Sequence, residues 1–320
     1  MKPEYFLRSK LYLFRVDSLL NLLNSVVMQG ATQENSQNLE KLPYTFDFDG
    51  PSYPRPSLVF EGVFPNVPKA IMVYKVKDPN ITEAFVRDLA QKFDIPADAE
   101  LKRTSRLGLY WLKTPSHHLE VHPSNGSFNI TNARKNNSQK TVEPNLPSKE
   151  EIRKIAEEYL NSRNLLPQDA YFYSIEDRPG LSHDKVMRAS FRRKIGAYET
   201  YGAGAKLRVA VSPDGEVAEV RKTWQQLIQF KAYPIKTPQQ ALEELQNGQG
   251  NLMNGWRGKV NKITIHYYTS PQKQDYVQPI YYFECSSPNG NFFNGSVPAI
   301  KQEYLKTKEE TIKETEKKGK

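Results

Sequence analysis

The chain carries one cysteine, Cys285, in 320 residues. A single thiol excludes an intrachain disulfide and a thiolate zinc cluster. It stands in Tyr281-Tyr282-Phe283-Glu284-Cys285 with no histidine beside it. A small buried core residue is therefore expected, not a nucleophile. Long apolar runs are missing as well. No stretch approaches the length of uninterrupted apolar sequence that a spanning helix needs, so no clear transmembrane helix is expected. Lys10 to Met28, KLYLFRVDSLLNLLNSVVM, starts basic and then turns moderately apolar, but Arg15, Asp17, Asn21 and Asn24 interrupt it. It reads as a degenerate or misassigned signal segment or as an amphipathic helix, and membrane association is possible through it. No lipid-attachment cysteine follows it.

Catalytic signatures are lacking too. Gly202-Ala203-Gly204 has no following lysine or helix start. It is neither a phosphate loop nor a dinucleotide fingerprint, and reads as a tight link between strands. No G-x-S-x-G elbow occurs. Asp47-Phe48-Asp49-Gly50 begins like a calcium loop but lacks the remaining ligand positions, and reads as a turn. No cofactor is expected.

What is present suits strands and a soluble surface. The chain has 18 Tyr and 15 Phe, residue types that favour strands. Its net charge of +9 would attract nucleic acid, anionic lipid or an acidic wall polymer. The 45 basic residues are spread among 36 acids, however, so simple solubility is the favoured reading of that charge.

One pattern occurs three times: an amphipathic helix followed by alternating, aromatic-rich strands and a tight turn. The helices begin near Ile81, Ser148 and Thr237. Ser148 with Glu151 forms a capping box, and Thr237 with Pro238 marks another start. The apolar positions Phe85, Val86, Leu89, Ala90 and Phe93 share one helical face, as do Ile152, Ile155, Ala156, Tyr159 and Leu160. Ser124-Asn125-Gly126 and Ser212-Pro213-Asp214-Gly215 supply turns between strands. Val260 to Tyr268 and Val277 to Cys285 read as an antiparallel pair, with a third strand near Asn291 to Val297. The expected fold class is α+β: tandem units, each of one helix packed on an antiparallel β-sheet. Residues 1–41 read as leader or linker, and 42–145 as an N-terminal unit with a proline-rich extended lead-in. Residues 146–300 read as a C-terminal domain of two units, and 301–320 as a charged helical or disordered tail.

Candidate sites are few. His118, Glu120 and His122 share one strand face at spacing two, a set that could hold a divalent metal. Leu119 and Val121 are the natural core positions of that strand, so its histidine face is expected to be the solvent side. His266 alternates with Ile265 and Tyr267 and is expected to be exposed. Glu199 sits between aromatics in Ala197-Tyr198-Glu199-Thr200-Tyr201, and a glycosidase would need a second acid that the sequence does not identify. Arg188, Ser190, Arg192 and Lys194 share a face, with Arg208 on the next strand. Such a basic face would suit single-stranded nucleic acid if exposed aromatics lay on it. In this register Met187, Ala189 and Phe191 point the other way, so a solvated sheet face is the favoured reading; an acidic protein partner would use the same face as well as nucleic acid would.

The stretch Phe191 to Trp224, FRRKIGAYETYGAGAKLRVAVSPDGEVAEVRKTW, resembles the core of bacterial YycH/YycI-type regulatory proteins and of tandem PepSY-like domains. Gly202 and Gly204 match the loop, and Asp214-Gly215 the turn. Ser148-Lys149-Glu150-Glu151 and Thr237-Pro238-Gln239-Gln240-Ala241 are similar to the helix start, and Gln278 to Phe283 to the closing strand. The resemblance spans roughly Lys69 to Val297. It implies a non-enzymatic, extracytoplasmic envelope protein that regulates a sensor kinase or a peptidase by direct contact. The missing anchor is a departure from that pattern. A polysaccharide-acting enzyme and a nucleic-acid-binding protein are the alternatives.

Overall fold

The computed structural model describes residues 39–46, 56–105, 108–132, 147–179, 185–253 and 257–318. The segment Lys10 to Met28, the turn Asp47-Phe48-Asp49-Gly50 and nearly all of the expected boundary from Asn132 to Pro147 lie outside the described residues. No helix among the described residues is long and apolar enough to cross a membrane.

Two helices start at the caps named from the sequence, Ser148 and Thr237, and a third is capped by Thr82. Helix α1 is Glu83–Gln91, and the Thr82 side chain accepts from the Phe85 N–H. Helix α2 is Lys149–Ser162, with the Ser148 and Glu151 capping box closed in both directions. Helix α3 is Pro238–Gln246, with a second capping box between Thr237 and Gln240. Helix α4, Lys308–Lys318, lies in the charged tail.

Strands dominate. Eight of them run antiparallel in the order β3 (Leu101–Arg103), β4 (Tyr110–Lys113), β5 (His117–Val121), β6 (Phe128–Asn132), β11 (Val217–Trp224), β10 (Ala205–Val211), β8 (Lys185–Ile195) and β7 (Ala170–Pro179). Strand β8 then turns through Gly196-Ala197 into β9 (Tyr198–Gly202). Strand β9 lies parallel to β14 (Arg257–Thr269), as does β1 (Ser57–Val59). Beyond β14 come β15 (Tyr276–Ser286), β16 (Phe292–Pro298) and β13 (Asn251–Met253). Strand β2 (Ala70–Val76) pairs with both β15 and β12 (Leu227–Pro234).

This architecture overturns the expected tandem units of one helix on an antiparallel sheet. The described residues form mostly a large mixed sheet of 16 strands, 46% strand against 18% helix among them, so sheet pairing and not a repeated helix–sheet unit organises them. Two pairings show why. Strands β2 and β12, which fall in separate expected units, pair with each other. Strand β6 pairs with β11 through Ile130 and Val220, merging strands of two expected units into one sheet. Helical periodicity reports which face is apolar; it does not report which strands that face will meet.

Helices α1, α2 and α3 pack on one side. Val86 and Leu89 of α1, Phe93 just past its end, and Ile152, Ala156 and Leu160 of α2 share a single core with Leu119, Ile130, Phe191, Leu207 and Val209. Ala241, Leu242 and Leu245 of α3 pack on Ile263, Tyr281, Phe283 and Val297 in a second core. Strand β8 serves both, giving Phe191 to the first and Ile195 to the second from the same face. Phe85, expected on the apolar stripe of α1, is instead 40% exposed. The described start of the lead-in, residues 42–46, is partly buried. Leu42 is buried against Leu305 of the tail, and Phe46 against Tyr268 and Ile280.

Candidate functional site

The side of the sheet away from α1 and α2 carries the charge. On β8 the residues turned away from the core are Arg188, Ser190, Arg192 and Lys194, because Met187, Ala189 and Phe191 enter it. Strand β10 sets Lys206 beside Arg192 and Arg208 beside Ser190. Strand β11 sets Arg221 directly opposite Arg208. The sequence-predicted residues Arg188, Arg192, Lys194 and Arg208 are thus brought together, and Lys206 and Arg221 join them. Like charges facing each other across strands are unfavourable. The cluster persists because the register that buries Leu207, Val209 and Val220 leaves these residues no other face.

Aromatic rings reach this face after all. Tyr171 on β7 is the cross-strand partner of Arg192, and a register shift between Phe172 and Ser174 re-aims the intervening Tyr173. The Arg192 guanidinium lies 3.3 Å from the Tyr173 ring centroid, and the Lys194 ammonium 5.1 Å from that of Tyr171. The expectation that no exposed aromatic meets the basic face fails, since the rings come from the neighbouring strand. Alternation within β8 could not show a bulge in β7.

The electrostatics are mixed. Burial, then Arg208 and Arg192, push the Lys206 ammonium down to about 8, with Glu176 opposing. Glu219 bridges Arg188 at 3.3 Å and Arg221 at 2.8 Å. Acids therefore punctuate the face, and it is not a uniform positive stripe.

His118 and Glu120 fall on this same side, because Leu119 and Val121 enter the core. The His118 Nε2 is 3.5 Å from the Glu120 carboxylate, and its ring meets Trp111 edge-on. His122 lies just beyond β5. Among the described residues no group of three His, Cys, Asp or Glu is placed to hold a metal ion.

Glu199 opens a second feature. It pairs across β9 with Lys194 on one side and His266 on the other. Next to it is a cavity of about 360 Å³ where the two parts of the sheet meet, lined by Tyr173, Arg192, Tyr201, His266, Tyr282, Glu284, Phe292 and Asn294 among others. Glu284 is the second acid that sequence reasoning missed. It lies some 85 positions away in the chain and is brought near only by the β9–β14–β15 pairing. His266, expected to be exposed, is half-buried, and burial lowers its pKa against the opposing pull of Glu199 and Glu284. Burial and Glu199 raise the Tyr171 phenol to about 12. Cys285 is fully buried at the cavity base, and burial pushes its thiol up to about 12, which suits a core residue and not a nucleophile. Gly202 and Gly204 fix this junction: a Cβ on Gly204 would lie 2.0 Å from the Ser270 carbonyl oxygen.

No protein-family model matches the chain, and no curated protein matches it. Among solved structures it is similar to an uncharacterized protein from Eubacterium rectale, with 8% identity and a TM-score of 0.38, over 75% of this chain and 87% of that one. A likeness at that level carries neither a fold nor a function across.

Proposed function

We propose that the chain works in the bacterial cell envelope by protein–protein contact, presenting the sheet face around Arg192 and Lys206 to an acid-rich surface of its partner. The observation that carries this reading is the pairing of Arg192 and Lys194 with Tyr173 and Tyr171 on the sheet face opposite helices α1 and α2. Arginine and tyrosine are the residue types enriched where proteins meet. Charge complementarity would set the orientation and speed of docking. A sensor kinase or a peptidase is the partner class that the YycH/YycI-type resemblance implies. Nucleic acid suits the face less well. Glu219 and Glu176 interrupt the cations, and the two tyrosine rings are already engaged by Arg192 and Lys194. A phosphate backbone selects for uninterrupted positive charge.

The test is crosslinking of the full chain in its source cells through a photoreactive residue at Arg221, whose side chain is half exposed on this face. A discrete protein adduct is expected, lost when Arg192 and Lys206 are both reversed to Glu while the thermal melt is retained. An adduct indifferent to the reversal would sink the proposal. So would tight binding of a single-stranded oligonucleotide whose affinity falls steeply with salt.

A further inference from the structure

We infer that the cavity at the sheet junction binds a neutral saccharide, with a pyranose ring face against aromatic side chains and its hydroxyls toward Glu199, Glu284 and Asn294. The cavity shares Arg192 and Tyr173 with the protein-contact face, but the inference is argued on Phe292, Glu199, Glu284 and Asn294, which that reading does not use.

Exposure is the first argument. Few large hydrophobic side chains are exposed among the described residues, and two of them, Tyr173 at 44% and Phe292 at 84%, line this one cavity. Tyr201 and Tyr282 stand in the same wall with ring centroids 5.0 Å apart. Ligand cavities typically combine such apolar walls with a few placed polar groups, in volumes of roughly 300–1,000 Å³.

Charge narrows the class. A cationic ligand would compete for positions already taken: Arg192 covers Tyr173, and Lys262 lies 3.6 Å from the Glu284 carboxylate. An anionic ligand would meet the carboxylates of both Glu199 and Glu284. A neutral ligand rich in hydroxyls escapes both penalties, and carboxylates are strong acceptors for hydroxyl donors.

Fixed polar groups in the lining supply the third argument. The His266 ring is held through its Nε2, 3.0 Å from the Thr264 hydroxyl, and lies 4.7 Å from the Tyr282 ring centroid. Asn294 is held by the Tyr201 hydroxyl, which donates to its Oδ1 at 3.0 Å, leaving the amide N–H₂ as a donor fixed in orientation. A pyranose has one apolar C–H face and a polar hydroxyl edge, and that division matches this lining.

The experiment is titration calorimetry of the full chain with tetramers of glucose and of N-acetylglucosamine. Tetragalacturonate, spermidine and adenosine serve as acidic, cationic and heteroaromatic comparisons. Saturable binding of at least one neutral tetramer is expected, weakened about tenfold or more by Phe292→Ala and by Glu199→Gln with the melting temperature unchanged. Both variants leave Arg188, Lys206 and Arg208 in place, so crosslinking to a protein partner tests the other proposal separately. The inference is overturned if neither neutral tetramer binds, if a comparison ligand binds more tightly than both, or if the two substitutions leave binding unaltered.

Discussion

The two faces of the eight-stranded sheet are made by the same strands and behave as opposites. One is covered by α1 and α2 and holds Leu119, Ile130, Leu207 and Val209, all nearly or fully buried. The other lies away from both helices and gathers Arg188, Arg192, Lys194, Lys206, Arg208 and Arg221. Two lysines put the contrast in its sharpest form. Both Lys222 and Lys206 are held at about 8 by burial first. Lys222, on the covered side, donates to the Leu165 carbonyl oxygen at 2.8 Å and so helps seat the end of α2. Lys206, on the opposite side, has Arg208 and Arg192 for its principal neighbours. The same perturbation is tied into the fold in one place and left as a local cost in the other. Costs of that second kind collect where a surface is kept for binding.

The covered face should break first and hardest. Leu160→Ala removes a fully buried side chain of α2 and is expected to cost about 2–5 kcal/mol, read by chemical denaturation. An effect below about 1 kcal/mol would mean that α2 adds little to the core.

The two lysines should then separate. A lysine held near 8 when folded and near its ordinary 10.5 when unfolded binds fewer protons in the native state between those values. Its ammonium therefore costs stability in full below about pH 8, and the cost fades as pH rises toward 10.5. Lys206→Met is expected to raise the melting temperature at pH 7 by a few degrees, with the gain shrinking at pH 10, while crosslinking to the partner weakens. Lys222→Met should show no such gain, because it also leaves the Leu165 carbonyl without its donor. Equal melting shifts in the two variants would erase the distinction between the faces. The smallest effect belongs to the helix ends. Ser148→Ala is expected to cost about 1 kcal/mol by the same denaturation measurement and to leave partner crosslinking untouched.

Much of the local structure was readable residue by residue. The caps at Ser148 and Thr237 stand where predicted, since a cap is a bond between residues three apart. The turn at Asp214-Gly215 and the pairing of Val260–Tyr268 with Val277–Cys285 follow from short-range pattern as well. The basic face was half readable. Alternation along β8 gives the side of Arg188, Arg192 and Lys194, but Lys206 and Tyr173 join them only through pairing with β10 and a bulge in β7. The partner of Glu199 in the cavity was not readable at all, because Glu284 arrives through β14 and β15.

By itself, then, the amino-acid order determined where helices begin, which side of each strand is apolar, and that Cys285 would be a core residue. Those properties depend on bonds and periodicities spanning a few positions. The tertiary structure alone decided that β2 would meet β12, that β6 would meet β11, and that all three packed helices would lie on one side of a mixed sheet. A strand edge offers the same N–H and C=O groups to any partner. The choice among partners is made by long-range burial of side chains, which no local pattern records.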